Sequence, residues 1–368
     1  MVGKLLAILF ASTLLVHSAF SQKENKRWDN LLLGIDLKQG MVVKHDKYMG
    51  HLSKGITRGF EADLLKKTTG ETQWQRLVHY PNVGLSLIFF NYPTDILGET
   101  LALNYVSDYY LIRSGKFEST CRLGIGLAYQ SNPYNKEYNN KNITYGSHVT
   151  FSLQTKLNIQ YNVYRDFYLH GGLSFCHFSM ADIKRPNKGL NVFTTDVGLI
   201  MLLNRQTEYV PISEEDREFN RKWRYNINFN AFVATYKSSD HKSYPVYTLS
   251  LYTQKPLSNL FDLLMGVDFF NNHVLKEVMK DDTSLDHTQP LPDHKKVGVS
   301  AGIEYHLNKL SIAFDVGYYI YKPYDFYSIL YQRYNIRYYF NDNWFVNGGF
   351  KTHGADAENS ELGIGYRF

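Results

Sequence analysis

Apolar and polar residues alternate strictly along much of this chain, and that pattern leaves few folds open. From Val149 to Tyr161, Val149, Phe151, Leu153, Leu157, Ile159 and Tyr161 alternate with Thr150, Ser152, Gln154, Lys156, Asn158 and Gln160. A period of two belongs to an extended strand whose two faces meet different surroundings. The same pattern runs through Phe117, Leu123, Ile125 and Leu127, through Tyr225, Ile227, Phe229 and Val233, and through Leu310, Ile312, Phe314, Val316 and Tyr318. In a soluble sandwich the polar rows look onto bulk water and are rich in Lys and Glu. Here they favour Asn, Gln, Thr, Ser and Gly, which suit a wet, confined interior. The apolar rows, with tyrosines near many strand ends, suit lipid and its interfaces.

About sixteen such runs start between residue 30 and residue 358, each near or above the roughly 9–11 residues that a tilted membrane strand needs. The expected fold is all-β: an antiparallel transmembrane β-barrel of the outer membrane, with about 12–16 strands over residues 22–368, and the length fits one large sheet closed on itself. Past the N-terminus no run of 18 apolar residues occurs, which excludes a helical membrane protein. Aromatic residues make up 15% of the chain and charged residues 20%, unlike a disordered chain. The net charge of +5 is spread without a basic run and offers no nucleic-acid footprint.

Lys4, the apolar run Leu5 to Val16 and the small-x-small triplet Ala19-Phe20-Ser21 read as an export signal, so residues 1–21 are expected to be cleaved. Cys121 and Cys176 fall on opposite faces of the sheet, and no disulfide is expected between them. With the N-terminus in the periplasm, the polar segments 41–56, 131–145 and 273–293 all fall outside, where such barrels keep long loops. Segment 205–221 does not fit, because it places a long charged stretch in the periplasm. The closing row Leu362, Ile364, Tyr366 and Phe368 resembles the signal read by outer-membrane assembly machinery. Gly171-Gly172 before His177 and Gly348-Gly349 before His353 hint at an internal repeat, with the histidines one residue out of phase.

One strand carries candidate chemistry. Phe167, Leu169, Leu173 and Phe175 share a face that continues through His177 and Ser179, and side chains two apart on a strand are separated by about 6.6 Å of rise. That places a base beside a nucleophile. In the next strand Phe193, Val197, Leu199, Met201 and Leu203 lie on the outward row, which includes Asn191, while Asp196 points inward. A hairpin that sets Ser179 against Gly189 puts His177 opposite Asn191 and assembles Ser, His and amide on the outer wall. A poorly paired polar group facing acyl chains costs on the order of 1–3 kcal/mol, to be offset by mutual hydrogen bonds or by function. An ordinary pair of interfacial residues bonded to water or headgroups is the bland alternative.

The segment His177-Phe178-Ser179-Met180-Ala181-Asp182-Ile183-Lys184-Arg185-Pro186-Asn187-Lys188-Gly189-Leu190-Asn191 resembles the active-site strand and hairpin of PagL-type lipid A 3-O-deacylases. Those are outer-membrane barrels whose lipid-facing His-x-Ser pair and following carboxylate hydrolyse an ester-linked acyl chain of lipid A. Gly59-Phe60-Glu61, Trp74-Gln75 with Tyr80-Pro81, and Gly146-Ser147-His148 look like positions in longer relatives described as acyloxyacyl hydrolases. The likeness covers about 30–204, with a further β-strand region at 222–368 matched mainly by Gly363-Ile364-Gly365-Tyr366-Arg367-Phe368. Two positions depart from the family pattern: Met180 stands where the pattern has Asn, and Asn191 where it has Glu.

The resemblance implies a Ser–His ester hydrolase. Ser179 would be the nucleophile, His177 the base, Asn191 the orienter of His177 and Asn187 the oxyanion donor, with Leu173, Phe175, Phe193 and Val197 as an acyl-chain groove. A neutral Asn can hold the imidazole tautomer but stabilises an imidazolium less than a carboxylate does. No cofactor and no metal is implied, and His45, His51 and His353 read as loop or rim residues. The expected partners are lipid A or lipopolysaccharide as substrate, outer-membrane lipid, the assembly machinery through Phe368, and a second copy as a homodimer, in the outer membrane of a Gram-negative bacterium. The rival class is a catalytically inactive barrel acting as a pore, transport or adhesion scaffold, for which a lumen of about sixteen strands is wide enough. A soluble periplasmic lipid-binding barrel is a third.

Overall fold

A computed structural model describes residues 29–180, 183–205, 208–236, 242–354 and 356–368. The expected signal peptide lies outside the described residues. Among the described residues sixteen antiparallel strands are present, in keeping with the alternation, but they close into two barrels of eight rather than one wide sheet. The first barrel comprises β1 (Leu31–Val42), β2 (Thr57–Lys67), β3 (Asn82–Asn91), β4 (Glu99–Ser114), β5 (Phe117–Gln130), β6 (Val149–Tyr164), β7 (Phe167–Ser179) and β8 (Leu190–Leu203). It closes by pairing β1 with β8, from Leu31 against Leu203 to Val42 against Val192. The second comprises β9 (Arg224–Thr235), β10 (Ser243–Pro256), β11 (Phe261–Asn272), β12 (Lys295–Leu307), β13 (Leu310–Tyr321), β14 (Leu330–Tyr339), β15 (Trp344–His353) and β16 (Asp356–Arg367), and closes by pairing β16 with β9.

Eight strands leave an interior that side chains can fill. In the first barrel Lys38, Arg122 and Lys156 meet Asp36, Glu61, Asp63, Asp108 and Asp196 across the lumen. Lys38 Nζ donates to Glu61 at 2.5 Å and to Asp196 at 2.7 Å, Lys156 Nζ to Asp36 at 2.6 Å, and Arg122 to Asp108 at 2.6 Å and Glu61 at 2.5 Å. The second barrel repeats the device with other residues: Arg333 bridges Asp268 at 2.7 Å and Glu361 at 2.8 Å, and Arg337 holds Glu304 at 2.6 Å. These buried charges are tolerable because each is paired at close range. The wide water-filled lumen on which the pore reading relied is replaced by two packed interiors.

Above the charged layer the first barrel is sealed by apolar residues. Phe90, Ala102, Cys176, Phe178, Leu190 and Val192 from strand ends pack with Met49, Leu52, Leu97 and Tyr145 from the connections. Burying a side chain such as Phe178 contributes roughly 1.5–3 kcal/mol, and Phe178 has no exposed surface. The second barrel is capped by α2 (Val274–Asp281), whose Val274, Leu275, Val278 and Met279 pack against Ala234 and Val246. Segments 41–56, 131–145 and 273–293 all lie at these capped ends, opposite the chain's described termini. Segment 205–221 misfits a single barrel because it joins the two barrels.

The joint is specific. Helix α1 (Gln73–Leu77), in the β2–β3 connection, is started by Thr72 and Gln75, whose side chains and backbone amides cap one another reciprocally. Arg76 forks onto the linker carboxylate of Asp216 at 2.7 and 2.6 Å, and Trp74 Nε1 donates to the Tyr305 hydroxyl of β12 at 3.3 Å.

Candidate functional site

The β7–β8 hairpin carries the candidate residues. Its register pairs Phe175 with Phe193, Cys176 with Val192, His177 with Asn191 and Phe178 with Leu190. Cys176, Phe178 and Leu190 are buried in the apolar seal, so alternation directs His177, Ser179 and Asn191 to the outward row on a backbone fixed from behind. Cys121 lies on the outward row of β5, away from buried Cys176, and both are free thiols.

His177 and Asn191 are joined: imidazole Nδ1 lies 2.6 Å from the Asn191 Oδ1. With that carbonyl as acceptor, Nδ1 carries the proton and Nε2 keeps its lone pair, the tautomer a general base requires. Ser179 is next in the same row, and no hydrogen bond joins it to His177 among the described residues. Such a bond commonly tightens only when substrate is bound. Asn187 accepts a hydrogen bond from the Met180 backbone amide at 2.8 Å through its Oδ1, which leaves the amide NH2 as its donating end. The Met180 side chain is buried, so the position that carries Asn in the family pattern contributes only its backbone here.

The hairpin connection is fastened to its neighbour rather than hanging free. Lys188 and Gly189 donate their backbone amides to Ile143 at 3.1 Å and Thr144 at 2.9 Å. Gly146 approaches this connection so closely that a Cβ would lie 2.8 Å from the Arg185 carbonyl oxygen. Beneath the polar residues Leu173, Phe175, Phe193 and Val197 are exposed on the outward rows.

His45, read from sequence as a rim residue, enters the site. Its Nε2 lies 2.8 Å from the Lys188 carbonyl oxygen and its Nδ1 lies 3.1 Å from Asn191 Nδ2. Next to it, the Tyr48 backbone amide and the Lys188 ammonium hold the Asp46 carboxyl below its usual range. No sequence spacing signals this contact, because it exists only where β1 closes on β8. The other histidines divide: His51 meets the Lys141 carbonyl at 2.9 Å in the loops, whereas His353 is buried inside the second barrel, 2.7 Å from Glu358. The loop-or-rim reading of His353 is corrected, because in β15 it continues by period two the buried inner row of Phe345, Asn347 and Lys351. The upstream positions Trp74, Gln75 and Tyr80 belong to the joint and the linker, and Glu61 to the charged interior.

The fold and the site define a class: a chain of two closed, side-chain-filled β-barrels with a His–Asn pair on the outer face of the first. Residues 58–199 match the family model described as lipid A 3-O-deacylase (PagL), and residues 223–368 match that of the acyloxyacyl hydrolase C-terminal domain. The chain belongs to this PagL-type acyloxyacyl hydrolase family, one model for each barrel. No curated protein sequence matches it. Among solved structures it is similar to CdiB from Acinetobacter baumannii, at 10% identity and a TM-score of 0.19, covering 92% of this chain and 59% of that one. It is also similar to the toluene transporter TodX of P. putida, at 10% identity, a TM-score of 0.18 and coverage of 92% and 89%. A porin is matched at 8% identity and a TM-score of 0.17, with coverage of 92% and 100%.

Proposed function

We propose that the protein is an ester hydrolase of the Gram-negative outer membrane that removes the 3-O-linked acyl chain of lipid A, working from the lipid-facing wall of the first barrel. Membrane placement is supported by outward rows such as Ile35, Leu37, Leu157, Ile159 and Val197 in the first barrel and Leu251, Ile303, Ile312 and Leu362 in the second, all exposed. The observation that carries the chemistry is the His177–Asn191 bond at 2.6 Å, a polar pair on outward rows that also carry Leu173, Phe175, Phe193 and Val197, and it fixes the base-competent tautomer.

In this mechanism lipid A diffuses laterally to the wall with an acyl chain along Leu173, Phe175, Phe193 and Val197. His177 Nε2 takes the proton of the Ser179 hydroxyl as its oxygen attacks the ester carbonyl carbon. The Asn187 NH2 group donates to the developing oxyanion. Collapse breaks the bond to the sugar oxygen, which leaves with the proton held by His177. Water, deprotonated in turn by His177, releases the fatty acid from the acyl-enzyme. Charge on the imidazole is stabilised by an amide dipole rather than a carboxylate, so turnover is slow.

The test is the mass of lipid A from a Gram-negative host expressing the full chain. Loss of one hydroxyacyl chain with the wild type but not with Ser179→Ala is expected. Unchanged mass in both would favour a non-catalytic scaffold, a reading that draws on the unformed Ser179–His177 bond and on Met180 and Asn191 in place of the family's residues.

A further inference from the structure

Within the proposed hydrolase site, the tautomer of His177 depends on which way round the Asn191 amide sits, and His177 alone cannot decide that. An amide presents C=O on one side and NH2 on the other. Exchanging the two would offer His177 Nδ1 a donor, leave the proton on Nε2 and remove the Nε2 lone pair that the proposed mechanism uses. Something on the far side of Asn191 must set its direction.

That group is His45. Two backbone carbonyls, which can only accept, lie near the His45 ring, that of Lys188 2.8 Å from Nε2 and that of Val43 3.5 Å from Nδ1, and the shorter contact puts the single proton of the neutral imidazole on Nε2. His45 Nδ1 is therefore a lone pair, and the group 3.1 Å away on Asn191 must be the donating NH2. The Asn191 oxygen then faces His177 at 2.6 Å, and the His177 proton goes to Nδ1. Each choice follows from the one before, starting at a backbone carbonyl that cannot change roles. Two further contacts hold the series together: the Val43 backbone amide donates to the backbone carbonyl of Asn191 at 2.8 Å, and Lys188 Nζ lies 3.1 Å from the Asp46 carboxylate. A carboxylate in place of Asn191 presents only acceptor oxygens to His177 Nδ1 and so has no orientation for a partner to set.

We propose that His45 is a positioning residue: it orients the Asn191 amide and thereby holds His177 in the tautomer that leaves Nε2 free. His45 and β1 lie outside residues 58–199, the part that matches the deacylase model.

The experiment reads the tautomer directly, by nitrogen NMR of the full chain in lipid micelles with labelled histidine and His177→Ala to assign the signal. Wild type is expected to show the Nδ1–H form. His45→Ala should convert a large part of the signal to the Nε2–H form, and His45→Gln, which can donate to Lys188 and accept from Asn191, should restore it. The deacylation rate of His45→Ala should fall about two- to tenfold in kcat with KM unchanged, the mark of a smaller competent fraction. A His177 signal indifferent to His45→Ala in a folded protein overturns the proposal. The two readings fail separately. If tautomer follows His45 but lipid A mass never changes, the hydrolase reading falls and the positioning stands; if lipid A is cleaved while the tautomer ignores His45, the reverse holds.

Discussion

Gly189 leaves His177 room that no other residue would. A Cβ at Gly189 would lie 2.9 Å from His177 Cε1 and 3.5 Å from Ser179 Cβ, between base and nucleophile. The glycine also sits at a φ of 75°, where an L side chain costs roughly 1–2 kcal/mol. Gly189→Ala is therefore expected to lower deacylation at least tenfold by displacing the imidazole, while the barrel still folds. Lipid A mass and heat-shifted migration on SDS gels, measured on the same preparation, separate the two effects.

The Asn191→Glu variant restores an ionised partner to His177. Hydrogen bonds to charged groups contribute about 1.5–3 kcal/mol against roughly 1 for a neutral pair, and the gain is felt where imidazolium forms. Initial rates of deacylation should rise about tenfold or more. Asn191→Ala, which removes the orienter, should lower them, and an equal rate for all three would show that residue 191 plays no part.

Strands and faces were legible in the sequence because period two survives along β5, β6, β7 and β8, and because Phe178 and Leu190 could be assigned to the inner row by counting. The pairing of His177 with Asn191 was legible for the same reason: a hairpin register is local. What no count could supply was closure. Whether β8 pairs with β1 or continues into β9 depends on contacts between residues far apart in sequence, such as Val42 with Val192, and His45 meets Asn191 only in the first case. The glycine pairs of β7 and β15 now fall in the seventh strand of each barrel, yet His353 turns inward, so the second barrel does not repeat the outward histidine.

The fork between Arg76 and Asp216 should hold the linker down over a wide pH range. The Arg76 guanidinium, helped by the Ser213 backbone amide, keeps the Asp216 carboxyl well below its usual range. A carboxylate with a lowered folded-state pKa contributes stability that is present above the unfolded value, about 3.9, and is lost only as pH falls through the lowered one. Cleavage of wild type between the barrels should therefore stay slow with trypsin at pH 8 and with pepsin at pH 4. Asp216→Asn should speed tryptic cleavage at Arg217 or Arg221 several-fold, and an unchanged rate would show that the fork does not restrain the linker.

Inside the first barrel the carboxylates outnumber the fixed cations, and this asymmetry ranks two substitutions. Glu61→Gln leaves every cation a partner: Lys38 keeps Asp196, Lys156 keeps Asp36, and Arg122 keeps Asp63 and Asp108. Arg122→Met instead strands Glu61, Asp63 and Asp108 beside one another with one cation fewer, and uncompensated buried charge costs about 3–5 kcal/mol. The arginine variant should unfold at clearly lower urea concentration than the glutamine variant when both are followed by loss of the heat-shifted band. The reverse order would mean that the charged layer is held by its hydrogen bonds to Gln154 and Ser86, which lie 2.9 Å from Glu61, rather than by the guanidinium.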